Sequence, residues 1–410
     1  MAVEQMLWLL ALYMGICVVS WLLLWAICYN LTRTYIPAEI SQRAKLGCAN
    51  LILGFFTALG LFLEKVGICH RYRIWRVVIN GVPPLKDSSL IIEDLLFDNV
   101  PVRVYRLKAS PAGNKRGMLY LHGGVGLIGS IQAYERVARH IARESGTVVV
   151  SVGFRLAPEH QYPASLIDCQ IAAIHFLKNA EDYGVDPNRI IIGGDSSGAT
   201  FAAATCQYLV ARNDLPKVRA QILLSPFLQA VDFNLPSYQQ NHSIPPLFKK
   251  RAIKLGFLYL TGKFVDLDGI MKNAHVPEEL KEKYGKWISA DYIPDEFKIR
   301  GYVPLVPAPF SEKLYEICKE ALDPMFSPLL AEESTISQQP EAFILTCEYD
   351  VVRDDGLLYK KRLEDNGVPV TWLHIKDGFH GMTFGIDYGL MEFPSTPKIF
   401  QHLLNFLKDM

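Results

Sequence analysis

The sequence predicts an α/β fold: a mostly parallel central sheet flanked by helices, with an inserted cap and an N-terminal transmembrane helix. Three observations carry that expectation. From about residue 90 onwards, short aliphatic or β-branched runs alternate with longer stretches of helical spacing, the pattern of strands covered by helices. Between two of these runs, an excursion of about 100 residues rich in Pro, Tyr, Lys and Phe breaks the alternation. The first thirty residues include an uncharged run long enough to cross a bilayer.

Half of the 410 residues are hydrophobic and 20% are charged, enough apolar material for a large core and too much for a disordered chain. The 42 Lys and Arg balance 42 Asp and Glu, so there is no basic field to hold a phosphate backbone, and no nucleic acid partner is expected. Eight cysteines without a Cys-x-x-Cys spacing predict neither a disulfide scaffold nor a metal site.

Met6 to Cys28 is a run of 23 residues without a charge. As a helix it reaches about 34 Å, against a hydrocarbon core of roughly 30 Å. Trp8 lies near one end, with Trp25 and Tyr29 near the other, where amphipathic rings favour the headgroup region. A cleaved signal peptide is the competing reading, but its apolar region is shorter and follows a basic start; only Glu4 precedes this run. The expected organisation is an anchor at 1–30, linker and cap helices at 31–89, and a body at 90–410 with the cap inserted at about 227–324. Leu46 to Leu63 is also uncharged. It is marginal for a span and reads as a helix packed against the body, with a helix dipping into the membrane surface as the alternative. Arg33, Arg43 and Lys45 follow the first span, which by the positive-inside rule alone places the body in the cytosol. Asn30-Leu31-Thr32 and Asn241-His242-Ser243 are glycosylation sequons; Asn241 is a candidate acceptor if the body is lumenal.

The expected strands of the body are Val102–Leu107, Met118–Leu121, Thr147–Val152, Ile190–Ile192, Ala220–Leu224, Ala342–Thr346 and Val370–Ile375. Tyr134–Glu144, Leu166–Ala180, Ala199–Leu209 and Ser395–Asp409 have helical spacing or composition.

The residues that carry chemistry stand at the ends of these strands. Gly194-Asp195-Ser196-Ser197-Gly198 follows one strand and precedes a helix. A nucleophile elbow needs that context, with glycine two residues either side of the serine because neighbouring backbone comes too close for side chains. His122-Gly123-Gly124-Val125-Gly126 follows an earlier strand. In an α/β-hydrolase that loop offers backbone N–H groups to the oxyanion of a tetrahedral intermediate. Gly123, Gly124 and Val125 are the candidate donors, joined by Ser197, the residue after the nucleophile. Asp350 and His380 each follow a later strand, so the chain order is Ser, Asp, His, that of the α/β-hydrolase fold. Ser196 would attack, His380 would carry its proton, and Asp350 would orient the imidazole. Asp354 and Asp355 compete with Asp350 but are expected to begin the next helix. Asp195 is expected to brace the elbow, and Asp168 and Glu348 are assigned to structure. No metal or organic cofactor is expected.

These strings, with Phe154-Arg155-Leu156-Ala157-Pro158-Glu159 and Asp377-Gly378-Phe379-His380-Gly381, resemble the hormone-sensitive-lipase-like branch of the α/β-hydrolases, and within it the arylacetamide deacetylase group. The likeness covers nearly the whole chain. It implies a serine carboxylesterase or deacetylase acting on hydrophobic acyl esters, with aryl amides or neutral lipid esters as further substrates. It also implies a single-pass protein of the endoplasmic reticulum with a lumenal body, which overrides the charge reading. Two departures stand out. Members usually have a third glycine where Val125 stands, and Gly126 and Leu127 replace an aromatic residue and a cysteine, so a disulfide to Cys347 found in relatives is expected to be missing. The alternative reading is a catalytically weak or silent member of the fold that binds a small ligand. Candidate cap segments over the substrate are Phe233 to Phe257 and Leu267 to Tyr292.

Overall fold

A computed structural model describes residues 2–108, 115–263 and 265–410. Val148-Val149-Val150 and Ile190-Ile191-Ile192 carry apolar side chains on both sides of an extended chain, so they need cover on both faces, and all six are buried. The strands are β1 Leu90–Phe97, β2 Val100–Leu107, β3 Lys115–Leu121, β4 Val148–Val152, β5 Val185–Asp195, β6 Ala220–Leu224, β7 Glu341–Tyr349 and β8 Val370–Phe379. Among the described residues they form one eight-stranded sheet in the order β1-β2-β4-β3-β5-β6-β7-β8. The β1/β2 and β2/β4 pairs are antiparallel, and every other neighbouring pair is parallel. Each strand expected from the sequence is present. β1 is an addition that the apolar pattern does not announce, because Glu93-Asp94 interrupts the run; as an edge strand only partly buried, it tolerates them.

The helices that matter for the site are α1 Ala2–Arg33, α2 Arg43–Lys65, α3 Arg71–Asn80, α4 Glu135–Ser145, α5 Ala164–Lys178, α6 Ser197–Val210, α7 Pro236–Gln240 and α8 Lys249–Thr261. α4 and the closing helix Thr396–Lys408 cover one face of the sheet, while α5, α6 and the helix Arg353–Asp365 cover the other. Several short helices, α7 and α8 among them, fill the long excursion between β6 and β7.

α1 runs past the uncharged segment to Arg33. It and α2 are each long and apolar enough to cross a membrane by length and composition. α2 folds back along the second half of α1 and does not rest on the body alone. Asn50 Nδ2 donates to Asn30 Oδ1 at 3.3 Å and to Thr34 Oγ1 at 3.2 Å, and Asn30 Nδ2 donates to the Gly47 carbonyl at 3.2 Å. Leu22 and Ala26 of α1 are buried, whereas the large apolar side chains of its first turns are exposed.

Candidate active site

β5 delivers Ser196 through a turn that only its flanking glycines permit. A Cβ on Gly194 or Gly198 would collide with the Leu121 carbonyl oxygen of β3. Ser196 itself sits at φ 53°, ψ −123°, a strained conformation held by its N–H, which donates to the Leu224 carbonyl of β6 at 2.8 Å. α6 starts at the next residue.

The strand ends bring Ser196, His380 and Asp350 together. His380 Nε2 lies 2.9 Å from Ser196 Oγ, and His380 Nδ1 lies 2.8 Å from Asp350 Oδ2. The other oxygen of Asp350 accepts from the Val352 N–H at 3.0 Å. Burial opposes a charged imidazole, but the charge and hydrogen bond of Asp350, with the charge of Asp195, outweigh it and hold His380 above its ordinary value. Neither rival carboxylate reaches the imidazole. Asp354 pairs with Arg353 at 2.8 Å and accepts from the Ser237 N–H at 2.7 Å. Asp355 accepts from the Leu228 N–H at 2.9 Å and from Tyr238 and Gln229.

Asp195 braces the elbow. Its two oxygens accept from the Tyr120 hydroxyl at 2.8 Å, the Tyr134 hydroxyl at 2.9 Å and the Gly123 N–H at 3.0 Å, and burial raises its pKa. That last bond corrects one expectation: the Gly123 N–H is spent on a buried carboxylate and does not face Ser196. Val125 is likewise engaged, its N–H donating to Ser197 Oγ at 2.8 Å. Among the described residues, Gly124 and Ser197 are the two expected donors whose N–H groups carry no hydrogen bond. Val125 has φ 58°, a left-handed conformation that a β-branched residue adopts only under constraint. His122 lies beneath the loop, its ring 4.1 Å from that of Phe154 and its Nδ1–H donating to the Gly123 carbonyl at 2.9 Å. Burial lowers its pKa to about 4, so it is neutral.

Arg155 pairs with Asp168 through two nitrogens, at 2.8 Å and 2.9 Å, fixing the turn after β4. Arg76 of α3 reaches the same region. It donates to the carbonyls of Leu127 at 2.9 Å and Ala157 at 2.7 Å, and both its terminal nitrogens meet Glu159 at 2.9 Å. Sequence spacing gave no sign of that contact, which joins the residues before the sheet to two site loops.

Ser196 opens on a partly enclosed apolar cavity, the kind of lining that small-molecule sites favour. Phe201, Phe227, Phe233, Phe257, Tyr259 and Phe326 line it. The expected segment Phe233 to Phe257 contributes to this lining, but Leu267 to Tyr292 does not, and Met325 and Phe326 take its place.

Asn241 overturns its expected role. It is 0% exposed, and its Nδ2 donates to the Asp350 carbonyl at 2.7 Å and the Glu348 carbonyl at 3.1 Å. The amide nitrogen that a glycan would need is spent inside the fold. Cys347 is buried and carries a free thiol.

A family model described as alpha/beta hydrolase fold matches residues 118–274 and 308–384. Human arylacetamide deacetylase-like 4 is 41% identical over 413 residues, covering 100% of both chains. Human arylacetamide deacetylase-like 3 is 42% identical over 388 residues, covering 94% of this chain and 95% of that one. Among solved structures, a hyperthermophilic esterase from the archaeon Pyrobaculum calidifontis superposes with a TM-score of 0.60 at 23% identity, covering 88% of this chain and 90% of its own; it is similar in fold.

Proposed function

The chain belongs to the arylacetamide deacetylase family of α/β-hydrolases and is a carboxylic ester hydrolase, and we propose that it is a membrane-anchored serine esterase and deacetylase working through Ser196, His380 and Asp350. The observation that carries this reading is the pair of contacts at 2.9 Å and 2.8 Å that joins the three side chains, with Ser196 lining an apolar cavity.

In this reading, Ser196 Oγ attacks the substrate carbonyl while His380 Nε2 takes its proton. Asp350 stabilises the imidazolium and keeps its Nδ1 facing inwards. The oxyanion of the tetrahedral intermediate lies against the free N–H groups of Gly124 and Ser197. Collapse expels the alcohol or amine, which leaves with the proton of His380. Water, activated by the same imidazole, then attacks the acyl-enzyme and releases the acid.

The aromatic lining favours esters with hydrophobic acyl groups; aryl amides and neutral lipid esters are further substrates of the reading. The excursion from about 227 to 324 acts as the cap, residues 1–30 as a single membrane anchor, and 31–89 as the segment joining the anchor to the 90–410 body. The body faces the lumen of the endoplasmic reticulum. The strained Val125 and its engaged N–H favour a second reading, a slow member of the family.

A fluorophosphonate probe tests the chemistry without a known substrate, because it reacts with an activated serine. The membrane-bound protein is expected to be labelled and Ser196→Ala to stay unlabelled. Folded wild-type protein that takes no label overturns the reading.

A further inference from the structure

Three backbone carbonyls around Asp350, those of Glu348, Asp350 and Val351, accept from side chains outside their own strand. The β7–β8 register shifts between Cys347 and Tyr349, so the regular ladder gives out just before Asp350. Buried carbonyls left by a broken ladder need other donors. Asn241 Nδ2 supplies the carbonyls of Glu348 at 3.1 Å and Asp350 at 2.7 Å, and Ser237 Oγ supplies that of Val351 at 2.8 Å. Asn241 is in turn fixed by Arg300, whose two terminal nitrogens each donate to its Oδ1 at 3.1 Å. Arg300 also donates to the Glu348 carbonyl at 2.9 Å and pairs with the Glu348 carboxylate at 2.7 Å.

Ser237, Asn241 and Arg300 all come from the excursion between β6 and β7. None touches the imidazole or the serine. They hold the backbone from which the Asp350 carboxylate reaches His380.

We propose that Asn241 is a positioning residue for Asp350, locked by Arg300, so that the excursion over the sheet sets the alignment of the triad. This deepens the proposed serine-esterase reading and rests on it. The chain of contacts is continuous from Arg300 through Asn241 to the Asp350 backbone, and from its carboxylate to His380 and Ser196. An amide is the side chain this place requires, because it donates twice to carbonyls on one side and accepts from a guanidinium on the other. Asp at 241 would set a carboxylate against two carbonyl oxygens, and Ala would take from the Asp350 carbonyl its shorter donor, leaving it the Arg353 N–H at 3.3 Å, and leave the Glu348 carbonyl to Arg300.

The test uses the full membrane-bound chain with p-nitrophenyl acetate and the fluorophosphonate probe, comparing wild type with Asn241→Ala, Arg300→Met, Arg300→Lys and Ser196→Ala. For Asn241→Ala, kcat is expected to fall on the order of 100-fold with KM nearly unchanged, the loss that misplacing a catalytic group produces. The pH midpoint of kcat/KM is expected to move, because the Asp350–His380 geometry sets it. Arg300→Met is expected to produce a smaller loss of the same kind, partly restored in Arg300→Lys. Folded Asn241→Ala with wild-type kcat and pH midpoint overturns the proposal. If that variant does not fold, folded Arg300→Met with both quantities unchanged overturns it. Ser196→Ala separates the two levels: label retained there defeats the esterase reading itself, whereas label lost there but taken up at the wild-type rate by Asn241→Ala defeats only the positioning role.

Discussion

The Val125 N–H donates to Ser197 Oγ at 2.8 Å, tying the loop after β3 to the residue that follows the elbow serine. The bond holds the loop against the start of α6, and it helps to keep Val125 at φ 58°. The same loop end is pinned from outside by Arg76 on the Leu127 carbonyl.

A left-handed conformation costs a non-glycine residue roughly 1–2 kcal/mol. Val125→Gly removes that cost and is expected to stabilise the protein by about 1 kcal/mol after the lost side-chain contact and the freer unfolded chain are counted. Turnover of a short acyl ester is expected to rise as well, since the loop then settles around Gly124 without strain. Thermal unfolding and kcat measured on the same preparations check both parts; no change in either rules out the strained loop as a brake.

His380 must be neutral to accept the proton of Ser196, and its pKa lies above the ordinary value of about 6.5. The expected kcat/KM therefore rises with pH, with a midpoint above that figure. Asp350→Asn removes the charge and bond that raise it, so the midpoint is expected to shift down while kcat falls about 10⁴-fold. A pH–rate profile from pH 5 to 9 with p-nitrophenyl acetate is the measurement; a flat wild-type profile is the contrary result.

Gly256 lies on α8 and lines the cavity, and a Cβ there would meet nothing within 4 Å. Gly256→Ala is expected to stabilise the helix by about 0.5–1 kcal/mol. Gly256→Leu would push a larger side chain into the substrate's space. Activity on acetyl esters should survive it, while kcat/KM for bulky acyl esters should drop roughly 10- to 200-fold, the reach of a pocket that gains or loses small apolar groups. Equal losses on both ester classes would place the acyl group elsewhere.

The meeting of Ser196, His380 and Asp350 was legible because each is part of a local string at a strand end, and chain order linked the parts. The parallel strands were legible for a related reason: burial on both faces leaves apolar runs such as Ile190-Ile191-Ile192. What spacing could not convey depends on distant partners. The Asn241 sequon is a three-residue pattern, but the burial of that residue is decided by Arg300, 59 positions later, and by carbonyls more than 100 positions away. Gly123 could be recognised as part of an oxyanion loop, yet only the fold shows Asp195 taking its N–H. α2 looked like a helix for the body because its composition is apolar; Asn50, its buried polar residue, turns it towards Asn30 and Thr34 of the preceding segment.

Arg76 bonds the Leu127 and Ala157 carbonyls and Glu159, so the chain ahead of the sheet also fastens two loops of the body. A recombinant fragment trimmed to begin at Leu90 would keep every residue of the triad and still lose the fastener on two of its loops. Trimmed versions of this protein therefore need a cut placed ahead of Arg71, in the turn between α2 and α3, which removes both long apolar helices and leaves the α3 clamp intact.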